Sequence, residues 1–135
     1  MPLLVPNNGE GDMLTALVAK AAAENLVLRL YQSNTTPAET DVAATYTEAT
    51  FTGYTALTLT PASWVVTEGA PGSAAYPQAT FTSSAVQGVA QLIYGYYLTR
   101  VTSGRIAWSE RFTDGPYSVS NLNDAVRVTP IITLD

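Results

Sequence analysis

Apolar residues recur along this chain at two periods. Met13, Leu14, Leu17, Val18 and Ala21 fall at helical spacing, with Lys20 and Glu24 on the remaining surface. The pattern predicts one helix over residues 12–24, with Asp12 as its N-cap. Ahead of it, Pro2 and Pro6 bracket Leu3-Leu4-Val5, and both prolines disfavour helix around them. Residues 1–11 are therefore expected to form an extended arm that either folds back along the domain or reaches a neighbour.

From Leu26 the period becomes two. Leu26, Leu28 and Leu30 alternate with Val27, Arg29 and Tyr31, the signature of a strand with one apolar and one mixed face. Residues 33–45 read as a long loop with Pro37, Glu39 and Asp41. Further strands are expected near residues 55–60, 63–67, 76–82, 89–101, 105–112 and 125–134. Turn signals at Gly53, Gly69, Pro71-Gly72, Gln87-Gly88, Ser103-Gly104 and Gly115-Pro116 separate them. Seven or eight short strands make a mainly β chain, an antiparallel β-sandwich or barrel-like domain with one N-terminal α-helix. The chain reads as a single domain over 1–135, with arm 1–11, helix 12–24 and sandwich 26–134.

The stretch around Ser103-Gly104 carries bulky apolar side chains on both strand faces. A two-residue loop there sets Thr102 opposite Arg105, Thr99 opposite Trp108, Tyr97 opposite Glu110 and Gly95 opposite Phe112. One face then gathers Val101, Thr99, Tyr97, Ile106, Trp108 and Phe112. The other gathers Leu92, Tyr94, Tyr96, Leu98 and Ala107 with Arg100 and Arg111. Neither face reads as solvated. The strand is either central and buried by its own chain, or its tyrosine-rich face meets another subunit, where tyrosine and arginine are enriched. Leu3, Leu4, Val5, Tyr94, Tyr96, Leu98 and Arg111 are the candidate interface residues.

Composition sharpens this picture. Only 13% of the 135 residues are charged while 47% are hydrophobic, well below the charge usual for soluble domains, and such a surface favours contact with other molecules. The six basic residues are dispersed and the net charge is -5, so a phosphate backbone is not an expected partner. No run approaches the apolar length that spans a bilayer, and the start lacks a secretory pattern, so neither a membrane nor export is expected. The sequon Asn34-Thr35-Thr36 reads as a chance match.

Catalysis has few candidates. With no His and no Cys, the usual general bases, thiolate nucleophiles and soft-metal ligands are missing. Glu39 with Asp41, or Glu110 with Asp114, are the available acid pairs, but nothing in the sequence sets either across a cleft. Lys20 sits beside no nucleophile motif. Gly9-Glu10-Gly11 lacks the preceding strand and third glycine of a dinucleotide loop. Asp114, Asn121, Asn123 and Asp124 have no regular calcium spacing and read as turn residues. No catalytic residue, cofactor or metal ligand is assigned, and the chain is expected not to be an enzyme.

Thr47-Glu48-Ala49-Thr50-Phe51-Thr52-Gly53-Tyr54, following Leu28-Arg29-Leu30-Tyr31, resembles small proteins encoded with the structural genes of tailed bacteriophages. The likeness continues through Tyr94-Gly95-Tyr96-Tyr97-Leu98-Thr99, residues 106–112 and Val126-Arg127-Val128-Thr129-Pro130. It implies a non-enzymatic virion protein of the capsid decoration or cement type, made in the host cytoplasm and carried on the capsid surface. Its implied partners are the major capsid protein and copies of itself in a small homo-oligomer. The resemblance also admits a tail, collar or fibre component. A different reading of the aromatics is a carbohydrate-binding sandwich with Tyr96, Trp108 or Tyr117 as stacking platforms.

Overall fold

The period of two that begins at Leu26 becomes strand in a computed structural model of the chain, which describes residues 3–17, 22–69 and 71–134. Among these residues the fold is mainly β, with eleven strands in antiparallel sheets and one short N-terminal helix, consistent with a β-sandwich. The strands are β1 (Leu26–Tyr31), β2 (Leu57–Leu59), β3 (Val65–Thr67), β4 (Gly72–Ala75), β5 (Ala79–Thr82) and β6 (Gln91–Ile93). They continue with β7 (Gly95–Arg100), β8 (Ile106–Arg111), β9 (Tyr117–Val119), β10 (Ala125–Val128) and β11 (Ile131–Leu134). Four sheets result, in the orders β2-β1-β7-β8, β10-β5, β11-β4-β3 and β6-β9.

Alternation decides which side chains enter the core. In β5, Ala79 and Phe81 are buried and Thr80 and Thr82 exposed; in β10, Val126 and Val128 are buried and Arg127 exposed. These meet Leu28, Leu30, Tyr96, Leu98 and Trp108 from the four-stranded sheet, together with Ile93, Val119 and Ile132. Each fully buried leucine or isoleucine in this layer contributes about 2 kcal/mol of transfer free energy.

The opposite face of the four-stranded sheet is covered too. Tyr31, Tyr46, Tyr97 and Ile106 form a second buried cluster, in which the Tyr46 ring stacks on Tyr97 at 5.0 Å and lies 4.8 Å from Tyr31. Tyr46 comes from the long loop, which returns to the sheet through Gln32 N to Thr47 O at 2.8 Å and Ala49 N to Leu30 O at 2.9 Å. All of Gly95 to Thr99 is buried as a result. Of the two readings of this strand, it is the central strand, covered by its own chain.

Several expectations are corrected. The helix α1 is Asn7–Leu17, not 12–24; residues 18–21, with Val18, Lys20 and Ala21, lie outside the described residues, and Ala22 to Glu24 are not helical. Asp12 is inside the helix and caps nothing; its carboxylate pairs with Arg100 at 3.0 Å and Arg105 at 3.6 Å. The early start has a packing cause. A Cβ at Gly9 would collide with the Ala107 carbonyl oxygen and lie 2.9 Å from Val5, so a poor helix former stands where the helix must touch β8 most closely. The extended arm is correspondingly shorter than 1–11, ending at Pro6.

The hairpin register also differs. Gly95 pairs with Arg111, Tyr96 with Glu110, Tyr97 with Ser109, Leu98 with Trp108 and Thr99 with Ile106, leaving Ala107 as a bulge residue. Arg100 N bonds to Arg105 O at 2.9 Å, so four residues, not two, make the connection, with Gly104 at φ +68°. The bulge turns Trp108 onto the face of Leu98 and Tyr96. The expected strand 89–101 breaks at Tyr94, where the chain passes from β6-β9 into the central sheet. Residues 125–134 break at Thr129-Pro130, where it passes from β10-β5 into β11-β4-β3.

Candidate interaction surface

The arm lies back on its own domain. Leu4 and Ser109 exchange backbone hydrogen bonds of 3.2 and 3.1 Å, which covers the outer edge of β8, and Leu3 and Val5 pack half-buried against the core. Extended backbone before Pro6 suits this, since a sheet edge needs exactly one more run of unpaired amides and carbonyls. 

Of the other candidate interface residues, Leu98 and Tyr96 are interior, with Tyr96 donating its hydroxyl proton to Glu110 Oε2 at 2.6 Å. They cannot meet a partner, because both faces of β7 are already covered. Tyr94 and Arg111 do come together at the surface. The guanidinium lies 4.9 Å from the Tyr94 ring centre and donates to Thr35 O at 2.9 Å and Asn34 Oδ1 at 2.7 Å. Through these two hydrogen bonds Arg111 anchors the start of the long loop.

The carbohydrate platforms fare similarly. Trp108 is 5% exposed and Tyr96 is buried, while the half-buried Tyr117 packs on Phe112 at 4.9 Å and donates to Asp114. No flat ring face is left open at Tyr96 or Trp108 for a sugar. A cavity of 420 Å³ between α1 and the sheet is lined by Met13, Leu26, Trp64 and Trp108, with Asp12, Glu24 and Arg100 as its polar part. Arg100 bonds to both carboxylates, and Arg105, 3.6 Å from Asp12, supplies the second positive charge that balances them. Hydrogen bonds from Thr102, then the Arg100 guanidinium, hold Glu24 below its ordinary range.

Of the acids weighed for catalysis, Asp41, Glu110 and Asp114 are engaged by neighbours. Tyr46 donates to Asp41 Oδ2 at 2.7 Å and accepts from Ser109 Oγ at 3.0 Å, and Ala38 N donates to the same Asp41 oxygen. Glu39 is exposed and its backbone oxygen receives Asn7 N. Asp124 Oδ2 accepts from the amides of Ser120 and Asn121, a turn role that holds its carboxyl below the usual range. Among the described residues no group of three or more His, Cys, Asp or Glu converges on a metal position, and no helix is long and apolar enough to cross a membrane.

What the surface does present is uncovered aliphatic side chains. Val65 and Val66 on β3 are 64% and 73% exposed, and Ile131 on β11 belongs to the same sheet. A second group, Val86, Val89 and Leu122, sits where Gln87 N bonds to Ser120 O and Asn123 N to Ser83 O, which brings two loops together. Sequence reading missed both groups. In the first, consecutive Val65-Val66 carries little signal, because a strand sends neighbours to opposite faces and the same pattern in β7 is buried on both. The second had no periodic signal.

Comparison of the chain with protein-family models, with curated proteins and with solved structures returns no match.

Proposed function

We propose that this protein is a structural component of a tailed-phage virion, a decoration or cement protein that binds the shell of major capsid protein and stabilises it through protein–protein contacts. The observation that carries the reading is the character of the exposed surface. From Phe51 to Thr99 the only charged residue is Glu68, and within that span Val65, Val66, Val86 and Val89 all stand in solvent. Exposed aliphatic groups in a span that carries a single charge favour burial against another protein, and a protein that works by covering a surface needs such groups more than a pocket. The two-sided burial of β7 and the docked arm supply a rigid body that brings this surface to a partner with little ordering cost.

The test is co-sedimentation of the purified chain with assembled shells. Saturable binding at a fixed ratio to the shell subunit, together with a higher temperature of shell disruption, is the expected result. A chain that stays in the supernatant at every concentration overturns the reading. Gold labelling confined to the tail or collar of intact particles would transfer the same surface argument to a tail component.

A further inference from the structure

We infer that the outer edge of β3 is a self-association surface, on which a second copy of this chain adds its own β3 antiparallel about Val66. This inference rests on the interaction-protein reading above and names one of its partners. β3 pairs with β4 on one side only, and among the described residues no backbone hydrogen bond reaches its other side. Outward amides and carbonyls on such an edge are complementary to another strand above all else. Natural edges are commonly blunted by lysine, proline or a bulge, and Val65-Val66-Thr67 has none of these, its register with β4 being regular.

Charge and pattern select a copy of the same strand. With the two-fold axis at Val66, that valine meets its counterpart and Val65 lies opposite Thr67. The row Ile131–Ala75–Val65 of one copy then continues into the row Thr67–Ser73–Thr133 of the other, since these are already ladder partners within the chain. Two three-stranded sheets become one six-stranded sheet. Glu68 ends up at opposite ends of the pairing, about 13 Å from its copy along the strand direction. That separation exceeds the screening length of about 8 Å in physiological salt, so like charge does not oppose the contact. Because the strand is short, association is concentration-dependent, and a shell that holds copies side by side strengthens it.

Sedimentation velocity of the full chain without shells, over a concentration series, tests this directly. The wild-type mass is expected to rise reversibly from one chain towards two. Val66→Lys places equal charges face to face at the axis and weakens association by about tenfold or more. Val86→Lys makes the same change of charge and exposed apolar area on the other patch and leaves the curve unchanged. Near-ultraviolet circular dichroism of Trp64 and Trp108 checks that each variant is folded, and Thr67→Lys serves should Val66→Lys fail there. A wild type that remains one chain throughout, a lysine at β3 without effect, or equal loss with Val86→Lys each overturn the inference. Dimers that never co-sediment with shells would leave this inference standing and remove the shell-binding reading. A single chain that binds shells, and loses that binding on Val66→Lys, would assign the edge to a strand of the shell instead.

Discussion

The ring of Tyr31 occupies the space that a side chain at Gly95 would take. The two residues are partners in the β1–β7 ladder, and a Cβ at Gly95 would lie 2.5 Å from the Tyr31 hydroxyl and 2.7 Å from its Cε1, while also striking the Glu110 carbonyl. An aromatic side chain over a strand glycine gains ring burial where the sheet is otherwise thin. Gly95→Ala is expected to destabilise the fold by about 3 kcal/mol, because Tyr31 is fully buried and backbone is one of the obstacles. Urea unfolding followed by tyrosine and tryptophan fluorescence measures it; a loss within experimental error of zero would show that the ring can move aside.

Tyr46 joins the long loop to β8 through one hydroxyl that serves Asp41 and Ser109 together. Tyr46→Phe keeps the stacking on Tyr97 and removes only this oxygen, leaving buried Ser109 short of a partner. The expected cost is about 2 kcal/mol. Hydrogen exchange adds a local readout: amides at residues 38–46 should lose protection before those of β7.

Alkaline pH should unfold the protein through its tyrosines. Burial pushes Tyr31 and Tyr97 up to about 12, and burial also lifts Tyr46, Tyr54 and Tyr96 above the ordinary phenol range of 10.0. A phenol with a raised folded pKa binds its proton more tightly folded than unfolded. Its stabilisation is whole below pH 10 and is lost as pH rises through 12. Phenolate absorbance of the native protein should therefore stay low for these five residues at pH 10 and rise together with loss of circular dichroism above it. Five phenols titrating at pH 10 in a folded chain would contradict the buried clusters.

On the acid side the sign reverses. Glu24 is held below its ordinary 4.5 by Thr102 and Arg100, so its stabilisation is present above that pH and is lost as pH falls. Arg100→Met should flatten the dependence of stability on pH below 4.5 and leave the alkaline limb unchanged. Thermal unfolding across an acid pH series reads both limbs in one experiment.

Strand identity is legible in the sequence wherever alternation is local. Leu28 with Leu30 and Val126 with Val128 announce their inward faces without reference to the rest of the chain. The register of β7 on β8 is not legible, because the Ala107 bulge forms where Gly9 of α1 presses on the strand, a contact across about a hundred residues of sequence. The helix start escapes notice for the same reason, since two glycines lower local propensity while close packing requires one of them. The tyrosine-rich strand illustrates a genuine degeneracy. Apolar residues on both faces mark equally a strand roofed by its own loop and a strand awaiting a partner, and the roof here is Tyr46, which lies in a segment without periodicity. Of the candidate surface residues, Tyr96 and Leu98 on the tyrosine-rich strand are therefore interior, whereas uncovered aliphatic side chains occur on the short edge strand and at loop tips.

The pairing of β1 with β7 has a consequence for biosynthesis. β1 meets Leu57 of β2 early, but in a growing polypeptide its other edge stays open until Tyr96 and Leu98 have been made, about seventy residues after Leu28. Closure of that ladder is late, slow in the manner of distant β contacts, and it exposes nascent copies to one another before any has a finished surface.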